Sequence, residues 1–347
     1  MKQFEKIDLS ADLYRKANEQ NKTFTEALEE IDPSGDYPDS TLDAFERQMA
    51  VRGLVVRGKR SLTAHGQRSV SLEVMYDKDN RVLFPELISR TVRKGLVLGR
   101  NSVNLDDIVA VHTPISGEVV KQVKFDTEQV SASRTGRRRV AEGGKFPLVT
   151  VSTGDKTIQA RKFGRLLKIS SEARRRMSVD LLLTGLEEMA LQWGQDMVAD
   201  AVNTLLSGAS SLNTAASGTL AFADVLGLSI ALNPYEGGIL VADAAGCKAL
   251  LGESNFRDTR LTDMNTSGVW PTVLGANVRL STVSGLSNKI LAVDPRFALE
   301  QVTEEGSMIQ EEEHVIDGQW DKVAISIVTG FARIFDRSVK TLNTVWS

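Results

Sequence analysis

The apolar positions of this chain follow the helical period in some stretches and the strand period in others, and the changes between them divide it. Between Ser178 and Leu206, the residues Leu182, Leu186, Met189, Trp193, Met197, Ala201 and Leu205 recur at spacings of three and four. That spacing predicts one long amphipathic helix with Ser178 as its N-cap. At 1.5 Å per residue it extends about 42 Å, which makes it a strut. Gly185 and Gly194 interrupt it. Each costs about 1 kcal/mol relative to alanine, a cost that close packing or bending offsets.

Residues 1–80 read as a charged helical extension. Ser10 is placed to cap a helix through ADLYRKANEQ, and Ser40 one through TLDAFERQMAV, where Leu42, Phe45 and Met49 share a face. Between them IDPSGDYPDS supplies turn residues at Pro33, Gly35 and Pro38. Both apolar faces are narrow, so these helices are expected to dock on another surface. The next segment, RVLFPELISRTVRKGLVLGR, reads as an arm in which Pro85 precedes a helical turn.

From Ile108 the period becomes that of strands. IVAVHTPIS leads into GEVVKQVKFDTEQV, where Val123 and Phe125 alternate with polar neighbours, and the chain returns through FPLVTVSTGDKTIQARKFGRLLKIS. This predicts a long antiparallel hairpin with its tip near Thr135 to Lys145. A two-stranded hairpin buries too little surface to offset the ordering of its backbone, so it must lie on something else. After the small polar run SGASSLNTAASGTLAF, helix and strand alternate. FADVLGLSIALN and AAGCKALLGES read as helices; GGILVAD, NVRLSTV and KILAVDP read as strands; RFALEQV reads as a strand or short helix. The final stretch, with VAISIVTGFARIFD, returns to strands.

Composition narrows the class. With 347 residues, 41% of them apolar and 25% charged, the chain can bury a substantial core. It has no run of 18 apolar residues and no apolar N-terminal segment, which predicts neither a membrane span nor a secretory signal. Cys247 is the only cysteine, so an internal disulfide and a cysteine-rich zinc site are excluded, and a reducing place of synthesis is expected.

The net charge of -3 conceals a division. From Ser131 to Asp180 thirteen Lys and Arg stand against four Asp and Glu, whereas from residue 181 onward ten stand against twenty. Either a solvated basic face is offset by chance, or the two regions meet, within a chain or between copies. Arg174, Arg175 and Arg176 precede the strut helix, whose N-terminal dipole they oppose. Glu172 is a partial counter-charge, and the rest is expected from a neighbour.

Catalytic patterns are sparse. His65, His112 and His314 are widely separated and form no metal-binding spacing. GGILVADAAGCK fails the phosphate-loop spacing, because Cys247 separates Gly246 from Lys248 and Ala249 stands where a hydroxyl is needed. Glu311, Glu312 and Glu313, followed by Asp317 and Asp321, suggest a cation site. On a strand, however, successive side chains point to opposite faces, so a solvated acidic edge or a docking surface for cations is the stronger reading. RTGRRR and EARRR invite a DNA-binding reading, yet no aromatics interleave with the arginines and no zinc-finger or helix-turn-helix spacing appears. No cofactor and no catalytic residue is expected.

The order of these parts resembles a tailed-phage major capsid protein of the Hong Kong 97 type. The residues that carry the likeness are LFPELISRTVRKGL, the glycine-rich hairpin tip, the strut helix, GGILVADAAGCKALLGESNFRDTRL with VLGANVRLSTVSGLSNKILAVDP, and the last strands, over residues 81–347. The resemblance implies an α+β capsid fold. Its expected divisions are residues 1–80 as a scaffolding-like extension, 81–127 as N-arm and first P-domain strands, 128–160 as extended E-loop, and 161–220 as P-domain with the spine helix. An α/β A-domain over 221–302 and strands 303–347 returning to the P-domain complete it.

The implied function is a virion shell built from pentamers and hexamers of this chain around double-stranded DNA, held without sequence specificity. Portal, scaffolding or decoration proteins are the further partners, the host cytoplasm is the place of synthesis, and no membrane is involved. The alternatives are an encapsulin-like nanocompartment that packages protein, and a DNA-binding protein. Some relatives crosslink an E-loop lysine to a neighbour's asparagine, for which Lys145 and Asn343 are the matching residue types. The expected contact between subunits sets Arg137, Arg138 and Arg139 against Glu187, Glu188 or the run Glu311, Glu312 and Glu313 of the adjacent copy.

Overall fold

The computed structural model describes residues 4–10, 12–20, 22–54, 71–77, 80–115, 117, 119–126, 142, 150–213, 220–253, 267–304, 309–315 and 317–344. Its helices are α1 (Asp12–Glu19), α2 (Phe24–Ile31), α3 (Ala44–Val51), α4 (Phe84–Gly95), α5 (Leu105–Ile108), α6 (Ser171–Arg176), α7 (Val179–Leu206), α8 (Phe222–Leu232) and α9 (Ala244–Gly252). Its strands are β1 (Val109–Ile115), β2 (Val119–Asp126), β3 (Thr150–Gln159), β4 (Arg161–Ser170), β5 (Ser210–Asn213), β6 (Ile239–Ala242) and β7 (Thr272–Val273). They continue with β8 (Ala276–Leu280), β9 (Lys289–Val293), β10 (Leu299–Glu304), β11 (Ile309–Val315), β12 (Trp320–Arg333) and β13 (Val339–Asn343). The chain forms two compact units. The first takes Met1–Leu98, Phe163–Asp196 and Gly306–Ile327; the second takes Gly99–Lys162, Met197–Glu305 and Val328–Ser347.

In the first unit the N-terminal helices have their own interior. Phe24, Leu28, Phe45 and Met49 are buried, and so is the whole side chain of Arg47. Arg47 donates to Asp32 Oδ2 at 3.1 Å, and to Ser34 Oγ and the Leu42 carbonyl at 2.8 Å each, with its guanidinium over the Tyr37 ring. A buried cation persists only when paired and hydrogen-bonded in this way.

Helix α3 begins later than the Ser40 cap predicts. Asp43 and Glu46 form a capping box, while Ser40 Oγ accepts only from the Leu42 amide. Helix α2, which the sequence reading lacked, starts with another such box between Thr23 and Glu26. The surface on which these helices dock is α4. Thr25 donates to Glu86 at 2.9 Å, and Arg90 reaches Asp43 at 2.8 Å and Glu86 at 3.0 Å while covering the Phe45 ring. The stretch read as an arm with one helical turn therefore carries a twelve-residue helix, with Pro85 in its first turn and Leu87, Ile88 and Val92 buried.

Helix α7 is the strut that the period predicts, 28 residues long. Leu182, Leu186, Trp193, Met197, Ala201 and Leu205 are buried along it, and Ser178 Oγ accepts from the Leu181 amide. At its first-unit end α4 comes very close: a Cβ on Gly95 would stand 2.6 Å from Ala190 Cβ and 2.7 Å from the Glu187 carbonyl.

The second unit holds a six-stranded sheet in the order β5-β13-β9-β6-β8-β7, in which β5 with β13 and β6 with β8 run parallel. Helices α8 and α9 supply Val225, Leu228, Leu232, Cys247 and Leu250 to a core shared with Leu240, Val278 and Ile290. RFALEQV resolves as a strand: β10 lies between β1, parallel, and the end of β12, antiparallel. In the first unit the start of β12 pairs with β11, from Ile309 opposite Ser326 to Val315 opposite Trp320.

Candidate assembly surfaces

Part of the predicted hairpin exists as a ladder of its own, while its return stretch RKFGRLLKIS, β4, pairs with β12 instead and its tip near Thr135 to Lys145, Glu142 excepted, lies outside the described residues. β2 and β3 form a two-stranded antiparallel sheet from Val119 opposite Gln159 to Asp126 opposite Thr150, with an irregularity between Lys121 and Val123. Its base is seated in the second unit. Ile158 is buried with Ile115, Val302 and Ala332, and Val120 packs on them from the opposite strand. Gly330 permits this approach, since a Cβ there would come within 2.6 Å of the Gln159 carbonyl.

On the other face the described valines are exposed. Val123 lies opposite Thr153, two positions from Val151, so alternation puts both valines on one side. They are 51% and 57% exposed, and Val119 nearby is 61% exposed. Covering such carbons stabilises by about 25 cal/mol per Å² removed from water.

Exposed ion pairs are a second feature of each unit. In the first unit Arg165 meets Asp196 at 2.5 Å and Lys94 meets Glu187 at 2.7 Å; in the second, Arg161 meets Asp200 at 3.2 Å. These pairs are largely exposed, and each contributes about 0–1 kcal/mol.

A third feature is an open cleft of about 690 Å³ in the first unit, lined by Ser71, Glu73, Tyr76, Arg81, Arg174 and Asp321 among others. Asp321 is buried and accepts from two sides. Arg174 Nη1 lies 2.9 Å from Oδ2, and His314 Nδ1, from the directly opposed residue of β11, lies 2.6 Å from Oδ1. Arg174 also covers the Tyr76 ring at 4.9 Å. The cluster ties the β11–β12 hairpin to α6. It also corrects an expectation: Arg174 is answered by Asp321 of the same chain, and Arg174, Arg175 and Arg176 end α6, where the helix dipole favours cations.

The other expected contact residues are dispersed. Glu187 is engaged by Lys94, Gln192 donates to Glu188 at 3.3 Å, and Glu313 takes Lys322 at 3.0 Å across the β11–β12 ladder. Glu311 and Glu312 stand on β11 opposite Ala324 and Val323, with only their backbone described. Arg137, Arg138, Arg139 and Lys145 lie outside the described residues.

Among the described residues no group of three His, Cys, Asp or Glu is placed to hold a metal, and no helix is long and apolar enough to cross a membrane. Cys247 is a poor nucleophile. Burial first, then the charge of Asp243, pushes its thiol up to about 12.

No protein-family profile and no curated protein matches the chain. Solved structures do. The capsid of a native GTA particle superposes with a TM-score of 0.52 at 12% identity, over 84% of this chain and 96% of that one. The capsid of an empty GTA particle gives 0.51 at 13%, over 72% and 93%. A phage-related protein from Bordetella bronchiseptica RB50 gives 0.50 at 14%, over 80% and 98%. The chain thus has a mixed helix-and-sheet fold of the kind found in capsid proteins.

Proposed function

We propose that this chain is a structural shell subunit that assembles through pentamers and hexamers of itself into an icosahedral particle enclosing double-stranded DNA. The observation that carries this reading is the β2–β3 ribbon, seated by Val120 and Ile158 yet exposing Val123 and Val151 on its other side. A ribbon of this kind gains stability by lying across a second copy, and a heterologous contact repeated around an axis closes a ring. The capsid-protein fold agrees with that use. In this reading Arg137, Arg138 and Arg139, which lie between β2 and β3 in the sequence, face acidic positions of the adjacent copy, among which Glu188 is exposed. Such ion pairs set register while apolar burial supplies most of the affinity.

The test substitutes Val123→Asp with Val151→Asp in one variant and Arg137→Ala, Arg138→Ala and Arg139→Ala in another. Both are expected to leave the circular dichroism of the subunit unchanged and to reduce the sedimenting particle fraction, the valine variant more severely. Particle yields equal to the unmodified chain in both variants would refute the ribbon's role. Nuclease-protected DNA inside the particles separates a genome shell from a protein-packaging compartment.

A further inference from the structure

Two chain crossings in the second unit run side by side. The segment 294–298 carries the chain from β9 to β10, and 334–338 carries it from β12 to β13. Their ends are in register, with Val293 opposite Val339 in the six-stranded sheet and Leu299 opposite Arg333 in the other. The crossings are of equal length, so the two antiparallel pairs form one continuous ribbon bent between two sheets.

The bend is bonded throughout. The Asp294 amide donates to the Ser338 carbonyl at 3.0 Å, the Ile334 amide to the Ala298 carbonyl at 3.0 Å, and Ser338 Oγ to the Phe297 carbonyl at 3.1 Å. The Phe297 ring meets Phe335 edge-on at 6.2 Å and Tyr235 at 5.6 Å. Asp294 is wholly buried. It accepts from the Glu236 amide at 3.0 Å, and from the amide, Nε and Nη2 of Arg296 at 3.0–3.1 Å. The loop before β6 closes the third side, where a Cβ on Gly238 would stand 2.9 Å from the Pro295 ring.

We propose that the two crossings form a fixed elbow with Asp294 as its pin, and that this elbow sets the angle between the two sheets of the second unit. Its importance for the curvature of a shell rests on the shell reading; the fixed angle does not. A single flexible linker would let the sheets hinge. Two antiparallel crossings joined by the Asp294 and Ile334 amides and by Ser338 Oγ leave one arrangement, because rotating one against the other strands an amide or a carbonyl, while the Asp294 carboxylate fastens the first crossing to the loop before β6. Burial alone would raise the Asp294 carboxyl, but the bonds from Arg296 and from the Glu236 and Arg296 amides outweigh it and hold the group below the usual aspartate range.

The test is a spin-label distance between His112→Cys on β1 and Ser287→Cys just before β9, in the full chain. Cys247 is buried and its thiol is held protonated, so it stays unlabelled. The unmodified background is expected to give one narrow distance, and Asp294→Asn to lose it in favour of a broad distribution. Arg296→Gln, at a side chain that is 55% exposed, removes two of the four donors and is expected to broaden the distance even if the Asn variant does not fold. Superimposable distributions in the variants that fold would overturn the elbow. Particles of Asp294→Asn are expected to lose uniform diameter in electron micrographs. If the unmodified chain forms no particles, the shell reading fails while the distance measurement still decides the elbow.

Discussion

Gly194 of α7 lies against the main chain of Leu96, so closely that a Cβ would stand 2.5 Å from the Leu96 carbonyl oxygen. Gly185, nine positions earlier in the same helix, has no atom within 4 Å of the same point. The two glycines therefore separate a packing role from a propensity cost. Gly194→Ala is expected to lower stability by about 1–3 kcal/mol, because backbone cannot move aside as a side chain does. Gly185→Ala is expected to raise it by up to about 1 kcal/mol. Thermal unfolding of both variants checks the pair, and equal shifts would contradict the close approach of α7 to the end of α4.

Arg47 makes a different prediction, since its environment is fully satisfied. Arg47→Ala removes the cation and leaves Asp32, itself buried, without its partner, a change that costs about 3–5 kcal/mol where it has been measured in other proteins. The loss should be local to residues 4–54. Hydrogen exchange is expected to show faster exchange in α2 and α3, with β6 and β9 unchanged.

Acid should weaken the same helices through Glu29. Burial would raise its carboxyl, but bonds from Ser34 Oγ at 2.7 Å and from the Ala44 and Ser34 amides at 2.7 and 2.8 Å bring it below the ordinary value. A carboxyl with a lowered folded-state pKa stabilises above its unfolded pKa, about 4.3 for glutamate, and that contribution is lost as pH falls through the folded value. Unfolding temperatures followed from neutral pH down past this range should fall less steeply for Glu29→Gln than for the unmodified chain. Parallel curves would show that Glu29 does not titrate in this way.

The sequence disclosed the long elements and concealed the shared ones. Helix α7 repeats its apolar residues over many turns, and the alternation from α8 to β9 is punctuated by glycine and proline, so both were legible. The ribbon was legible because Val123 and Phe125 alternate with polar neighbours. Helix α2 was missed although Thr23 and Glu26 form the capping signature that marks its start; only two turns follow, too few for periodicity to register.

No spacing marks Arg47, and that of Arg174 points to Glu172 and a neighbouring copy, because the answering carboxylates, Asp32 and Asp321, lie in a turn and on a distant strand. The elbow was invisible for a similar reason. Asp294 and Pro295 read as the end of the strand KILAVDP and Arg296 as the start of RFALEQV, and nothing marks a bend between two sheets until β9 with β13 and β10 with β12 are known to pair. Predicted contact residues Glu187 and Glu313 already hold partners in their own chain, and spacing alone does not reveal such competition.

The central claim is that the chain builds a closed shell from copies of itself. Electron microscopy of the purified chain is the decisive measurement. Closed particles of uniform diameter are expected; a preparation holding only monomers or dimers at the same concentration would contradict the closed shell.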